Sequence, residues 1–243
     1  MTPRWLWCLV AAVIALEIPY PLLHGHARNV LTVATVVVFA ATSLAHAWLS
    51  SGGRRVGWLL GVALIGFAAE VIGVHTGVPF GDYHYTGGLG PTVADVPIAV
   101  GLAWLMMAQP AACVAERIWS GRRSLVVVAA IALASWDVFL DPQMVDAHHW
   151  RWHHPDPRLP GITDVPLSNF GGWLLVSLVV MFALSVAHTA PGRDDRPALT
   201  LWVWTWLSST LANLAFFHRP AVAAWGFVAM AVVGLPLLRG GRR

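Results

Sequence analysis

The sequence predicts an all-α, polytopic membrane protein: a bundle of about eight transmembrane helices, with seven as the alternative count and both termini cytoplasmic. Three observations predict it. Of 243 residues, 57% are hydrophobic and 11% charged, and mean hydropathy is +0.65, a balance foreign to soluble domains of this length. Apolar stretches of membrane-crossing length recur along the whole chain. The basic residues, all fifteen of them Arg, sort by loop.

The stretches run Trp5 to Leu23, Val30 to Leu49, Val56 to His75, Val93 to Ala115, Leu125 to Val145, Leu167 to His188, Leu199 to Phe217 and Ala221 to Leu238. The first carries Glu17 and lacks a small-residue cleavage site, so it reads as a retained helix rather than a signal peptide. With eight crossings and the N-terminus inside, Arg4, Arg54, Arg55, Arg117, Arg122, Arg123, Arg193, Arg196, Arg239, Arg242 and Arg243 fall on the cytoplasmic side. Arg28, Arg151, Arg158 and Arg219 fall outside. Eleven against four is a strong positive-inside bias, and an odd count would destroy it. The mild basic balance therefore reports orientation and lipid head-group contact, not nucleic acid. Most linkers are short and no segment is of low complexity, so residues 1–243 read as a single integral-membrane domain of the cell membrane.

Asp137 and Asp141 stand out against this background. They lie four residues apart near the end of an apolar helix, on one face of it. Ionisable groups in a lipid-embedded helix cost several kcal/mol or find a partner, so they mark sites more often than scaffolds. The alternative is structural: the two carboxyls bond each other, or Asp141 caps a kink before Pro142. The assigned topology puts Glu17, Glu70, His75, Asp137, Asp141, Ser168, Asn169, Asn213 and His218 toward the outer, non-cytoplasmic ends of their helices, together with the two long loops. Glu116, His46 and His188 lie toward the inner ends, where snorkelling is an adequate account. One polar pole suits one site near one membrane face.

An internal echo runs through the centre. Asp95-Val96-Pro97-Ile98 leads to Trp104 and Asp164-Val165-Pro166-Leu167 leads to Trp173, nine residues after the Asp in each case. Each block follows a helix with acid at its outer end, so two parallel units would bring those acids side by side. For Asp95 and Asp164 themselves, a helix cap ahead of a first-turn Pro is the preferred reading. Tyr83 and Tyr85 in the first loop are candidates to line an apolar mouth, or belong to the interfacial aromatic belt. In the second loop, His149 and His153 could meet an ion from one helical turn. No acidic or Cys ligand completes a site, so no metal is expected, and Cys8 and Cys113 read as packing residues. Phosphate cradles and dinucleotide fingerprints are absent, which leaves nucleotide chemistry without support.

The runs Glu70–Tyr85, Leu89-Gly90-Pro91, Val96-Pro97-Ile98, Trp136–Val145 and Gly161–Trp173 resemble the integral-membrane carotenoid biosynthesis proteins, in particular the carotenoid hydratases of the bisanhydrobacterioruberin and gamma-carotene hydratase type. The resemblance covers the central half of the chain. It implies addition of water to the terminal isopropylidene double bond of a long linear carotenoid, giving a tertiary alcohol with no redox cofactor, in a bilayer and alongside other carotenoid biosynthesis enzymes. A carboxyl would protonate the alkene, a neighbouring carboxylate would stabilise the tertiary cation, and water would attack it. On this reading Asp137 and Asp141 are the central pair, Glu70 is a third acid and Asn169 orients water or a carboxyl. Tyr83, Tyr85, Trp136, Trp173, Ser168, His75 and Asp82 are the substrate-binding candidates. The segment from His148 to Pro160 departs from the family pattern, which bears on the loop and substrate choice rather than on the acids.

Two further readings share these residues. A carotenoid cyclase or isomerase would begin with the same protonation but needs a dry aromatic cage. A proton-coupled transporter would need acids along a continuous path, whereas the inner halves of these helices read as nearly apolar.

Overall fold

A computed structural model describes residues 2–119, 121–187 and 194–239, so the expectations for His188, Arg193, Arg242 and Arg243 fall outside the described residues. In chain order the helices are α1 (Arg4–Glu17), α2 (Gly25–Ser51), α3 (Gly53–Thr76), α4 (Ile98–Ile118), α5 (Arg122–Asp146), α6 (Leu167–Leu184), α7 (Arg196–Ala215) and α8 (Pro220–Leu238). Short 3-10 turns, Tyr20–Leu22 and Ser185–Ala187, extend α1 and α6. Seven of these helices are long and apolar enough to cross a membrane, which makes this a multi-pass membrane protein. The exception is α7, whose Thr205, Ser208, Ser209, Thr210 and Asn213 lower its hydropathy. Its ends nevertheless lie at opposite poles of the bundle. Just before it, Asp194 accepts a hydrogen bond from Thr2, ahead of α1; just after it, Arg219 pairs with Asp146 at the far end of α5 at 2.5 Å.

The centre of the bundle is α4. Its apolar stretch is 83% buried, more than that of any other crossing helix. Small residues admit its neighbours closely: a Cβ on Gly101 would stand 3.1 Å from the Ala63 carbonyl oxygen, and one on Gly66 of α3 would strike the Trp104 ring at 2.3 Å. The same device seats Phe139 on Gly226 and Trp206 on Gly234, joining α8 to α5 and α7.

Four short strands close one pole. Strand β1 (Tyr83–Tyr85) pairs antiparallel with β4 (Trp150–Trp152), setting Tyr83 opposite Trp152 and Tyr85 opposite Trp150. Strands β2 (Thr92–Val93) and β3 (Val96–Pro97) form a two-residue hairpin. This hairpin corrects the expected start of α4 at Val93. Ala94 and Asp95 have φ of 50° and 62°, the left-handed pair that a tight hairpin requires, so the helix waits until Ile98. Asp95 and Asp164 are not caps either: Pro97 and Pro166 hold the N-cap positions, with no side-chain cap bond. The segment between His149 and His153 is strand β4, so the two are not on one helical turn. His149 is buried with Nδ1 3.1 Å from the Gly87 carbonyl, and His153 Nε2 lies 3.1 Å from Nδ1 of His84.

The echo has a physical counterpart, because Trp104 and Trp173 stack face to face, 4.0 Å between ring centres and 14° apart. The opposite pole departs from expectation. Glu116 does not need snorkelling: it faces Arg55 at 3.5 Å, and Arg55, 1% exposed, also donates to Gln109 and the Ala187 carbonyl. His46 is buried beside the Gln109 amide at 3.0 Å. This second polar cluster is divided from Trp104 along α4 by the buried apolar run 105–108.

Gly234→Ala forces a methyl into the Trp206 ring at 2.4 Å and is expected to cost about 1–3 kcal/mol, read as a lowered Tm in detergent. Gly61→Ala, where a Cβ meets nothing within 4 Å, should hold or raise Tm.

Candidate active site

The carboxylates of Glu70 and Asp141 at the strand-closed pole are held by aromatic donors. Glu70, 5% exposed on α3, accepts from Tyr83 Oη at 2.5 Å and Tyr85 Oη at 2.9 Å on Oε2, and from Trp104 Nε1 at 3.1 Å on Oε1. Asp141 on α5 accepts from Trp150 Nε1 at 3.0 Å on Oδ1. Asn169, in the first turn of α6, donates from Nδ2 to Asp137 Oδ2 at 2.9 Å and also to Asp141 Oδ2. Asp137 is fully buried and its Oδ1 has no partner among the described residues. The spacing of four that stacks the two aspartates on one face is thus used, by a single amide bridging both.

These donors come from the pairing of β1 with β4. Alternation along β1 sends Tyr83 and Tyr85 to the same side, and Trp150 and Trp152 join them from β4. Tyr83 stacks on Trp152 at 5.5 Å, and Tyr85 meets Trp150 edge-on at 5.5 Å. Burial, with Glu70 the second cause, pushes both phenols above their ordinary value of 10.0. Burial pushes the His149 imidazole below 6.5.

A cavity of about 370 Å³ opens from this cluster. Glu70, Asp141, Asn169, Tyr83, Tyr85, Trp136 and Trp173 all line it, whereas Asp137 does not. Its remaining wall is largely apolar, from α2, α4 and α5, and it continues to α1 and α7. Three expected site residues are not brought there. Ser168 is exposed, one position from Asn169 but on the outer side of α6. Asp82 is exposed and serves through its carbonyl, which accepts from the His153 N–H. His75 sits at the surface, 51% exposed and 3.9 Å from Asp95. Adjacency to a motif placed these three with the site, but each points away from the face that its neighbours present.

Other lining residues escaped the sequence reading. Trp104 had the offset of the echo as a signal; Trp150 and Trp152, interleaved with the loop histidines, had none that pointed to the cavity. Trp204 and Ser208 on α7 carry no sequence signal, and Glu17 bears in the sequence on the first helix and its pole, not on the site. Among the described residues, no group of three or more His, Cys, Asp or Glu side chains is placed to hold a metal ion.

Fold and site together define a polytopic membrane protein in which the buried carboxyl groups of Glu70 and Asp141 face a largely apolar cavity. A model of the carotenoid biosynthesis protein family matches residues 29–240. The chain belongs to that family. It is also 29% identical over 151 residues to bisanhydrobacterioruberin hydratase of Haloarcula japonica, a match covering 59% of this chain and 49% of that protein. The chain therefore spans about half the length of this curated relative. No solved structure matches it.

Tyr83→Phe and Tyr85→Phe each remove a donor from Glu70 and should lower stability by about 1–3 kcal/mol in thermal melts. The pH dependence has two edges. Folded, the phenols hold protons to higher pH than the unfolded chain does, so their contribution is full below pH 10.0 and drains away above it. Folded His149 takes a proton less readily than in the unfolded chain, so its contribution is full above pH 6.5 and is lost as pH falls. Melting temperature against pH should show a plateau between these limits, and the alkaline edge should soften in the double Tyr variant.

Proposed function

We propose that the protein hydrates the terminal isopropylidene double bond of a linear carotenoid, giving a tertiary alcohol. The observation that carries this reading is the meeting of Asp141, Glu70 and Asn169 with an aromatic wall in one apolar cavity. In the proposed step a carboxyl proton passes to the less substituted alkene carbon, and the other carbon becomes a tertiary cation. Water adds to that carbon, and its surplus proton returns to the carboxylate. The sum is alkene plus water to alcohol, with no change of redox state and no cofactor required.

Asp141 is the preferred donor, because it lines the cavity and each carboxyl oxygen has a lone-pair site beyond the bond it already accepts. Asp137, tied to it through Asn169, acts as a positioning residue and proton reserve, since two adjacent carboxyls share protons rather than ionising together. Glu70, held in place by three donors and lining the same cavity, would be the electrostatic partner of the developing cation. The rings of Trp136, Trp173, Tyr83 and Tyr85 supply cation–π stabilisation without forming an adduct. The relative named as a hydratase supports the same reaction class. The Arg distribution supports a site pole on the non-cytoplasmic face, and the short linkers support an undivided domain over residues 1–243.

The aromatic wall also favours a second reading, protonation followed by ring closure. The products separate the two: hydration adds the mass of one water, whereas cyclisation leaves mass unchanged. Expression in a host that accumulates lycopene or its prenylated relatives, with mass analysis of the pigments, is the test. Asp141→Asn should lower hydrated product by about 10²-fold or more, and Glu70→Gln by at least about tenfold. Undiminished product in both variants would sink the assignment.

A further inference from the structure

A cavity that takes a polyene needs an entrance, and the residues of its wall show where it lies. Among the described residues that line it, Ile18, Leu211 and Phe216 alone are exposed. Ile18 caps the end of α1, and the other two lie at the C-terminal end of α7, so all three belong to one seam. Exposed apolar side chains are ordinary on a lipid-facing helix; what sets these apart is that each also borders the cavity. Two contacts span the seam and frame the opening. Trp204 Nε1 donates to Glu17 Oε2 at 2.7 Å, and the Tyr20 and Phe217 rings meet edge-on at 6.4 Å with the Arg28 guanidinium over both. Along α7, Leu211 and Phe216 fall between these contacts. The strand-closed pole offers no such gap: Tyr83, Leu89, Trp150 and Trp152 line the cavity there and are buried.

Size decides how a polyene uses this opening. At about 370 Å³ the cavity is near the lower end of the roughly 300–1,000 Å³ that encloses a drug-sized ligand. A linear carotenoid is a stiff rod, comparable in length with the ~30 Å hydrocarbon core of a bilayer. The chamber takes one end of such a rod and not the whole. We propose that the opening between α1 and α7 is a lateral portal through which a polyene slides end-first from the lipid, its reacting end enclosed and the remainder left in the bilayer against Ile18, Leu211 and Phe216. The inference rests on the reading of the cavity as a polyene site. A chain that leaves the cavity here passes from an apolar wall to an apolar rim and then to lipid, so no hydrocarbon meets water on the way. Helix α1 is suited to edge the portal, because its apolar stretch is 22% buried, the least of the crossing helices, and little of the core depends on its exact position.

The test is uptake, kept apart from turnover. Full-length protein carrying Cys8→Ala and Cys113→Ala is placed in lipid nanodiscs with Ile18→Cys and Leu211→Cys added, and the two new thiols are joined after folding by reducible bis-thiosulfonate linkers of graded span. Lycopene is the probe, followed by the shift of its absorbance on binding. Linking should slow uptake at least about tenfold, and cleaving the linker with a reductant should restore it. Uptake that is undiminished in the linked protein overturns the proposal, as does failure of every linker to bridge the pair. A second measurement locates the bound chain. A bimane label on Ile18→Cys should lose most of its fluorescence over the same lycopene range as the absorbance shift, whereas one on Leu64→Cys, 71% exposed on α3 and away from the cavity, should respond only as free bimane in the lipid does. Equal quenching at the two positions also overturns the portal. Hydration at an unchanged rate by the linked protein sinks the portal alone; uptake that the linker blocks, without hydration by any form of the protein, sinks the proposed reaction and leaves the portal standing.

Discussion

Everything at the site depends on how carboxyl groups are held inside an apolar bundle. Carboxylates from α3 and α5 would be prohibitively costly there unless donors reached them. Neighbouring helices supply Trp104 and Asn169, and the other donors arrive from outside the bundle. Pairing of β1 with β4 turns Tyr83, Tyr85 and Trp150 inward, and stacking of Trp104 on Trp173 fixes the indole that completes Glu70. Sheet, stack and acids form one unit: three residues of strand on each side determine whether the charges are tolerated.

The same unit explains the internal echo. In each half a helix ends in acid, a loop strand returns an aromatic donor to it, and the next helix brings a Trp to the centre. The halves are not equal. Glu70 is served by three aromatic donors, whereas Asp141 receives one indole and shares the Asn169 amide with Asp137. That asymmetry is what gives neighbouring acids different tasks in a proton-transfer scheme.

Much of the fold was legible because the helices are written in apolar runs of the right length, and the acids were legible because charge is rare in such runs. Asp137, Asp141, Glu70 and Asn169 meet for the reason that their positions suggested, a common pole. What stayed hidden was direction. Ser168, Asp82 and His75 adjoin site residues yet face outward, since neighbours in a helix or strand point to different sides. The start of α4 was misplaced because a two-residue hairpin hides within an apolar run, and the Arg55–Glu116–Gln109–His46 cluster was missed because partners on three helices leave no shared motif. That cluster means the acids do not monopolise the polar groups of the bundle, although the apolar run 105–108 parts the two ends.

The low hydropathy of α7 has a consequence for biogenesis. A segment with Thr205, Ser208, Ser209, Thr210 and Asn213 gains little by partitioning alone from the translocon into lipid. Its partner α8 is among the most apolar segments and follows after a connection of four residues, 216–219, with Trp206 seated on Gly234 between them. Membrane entry of α7 is therefore coupled to synthesis of α8, the two inserting as a hairpin, and the cavity acquires its α7 wall only once α8 has been made.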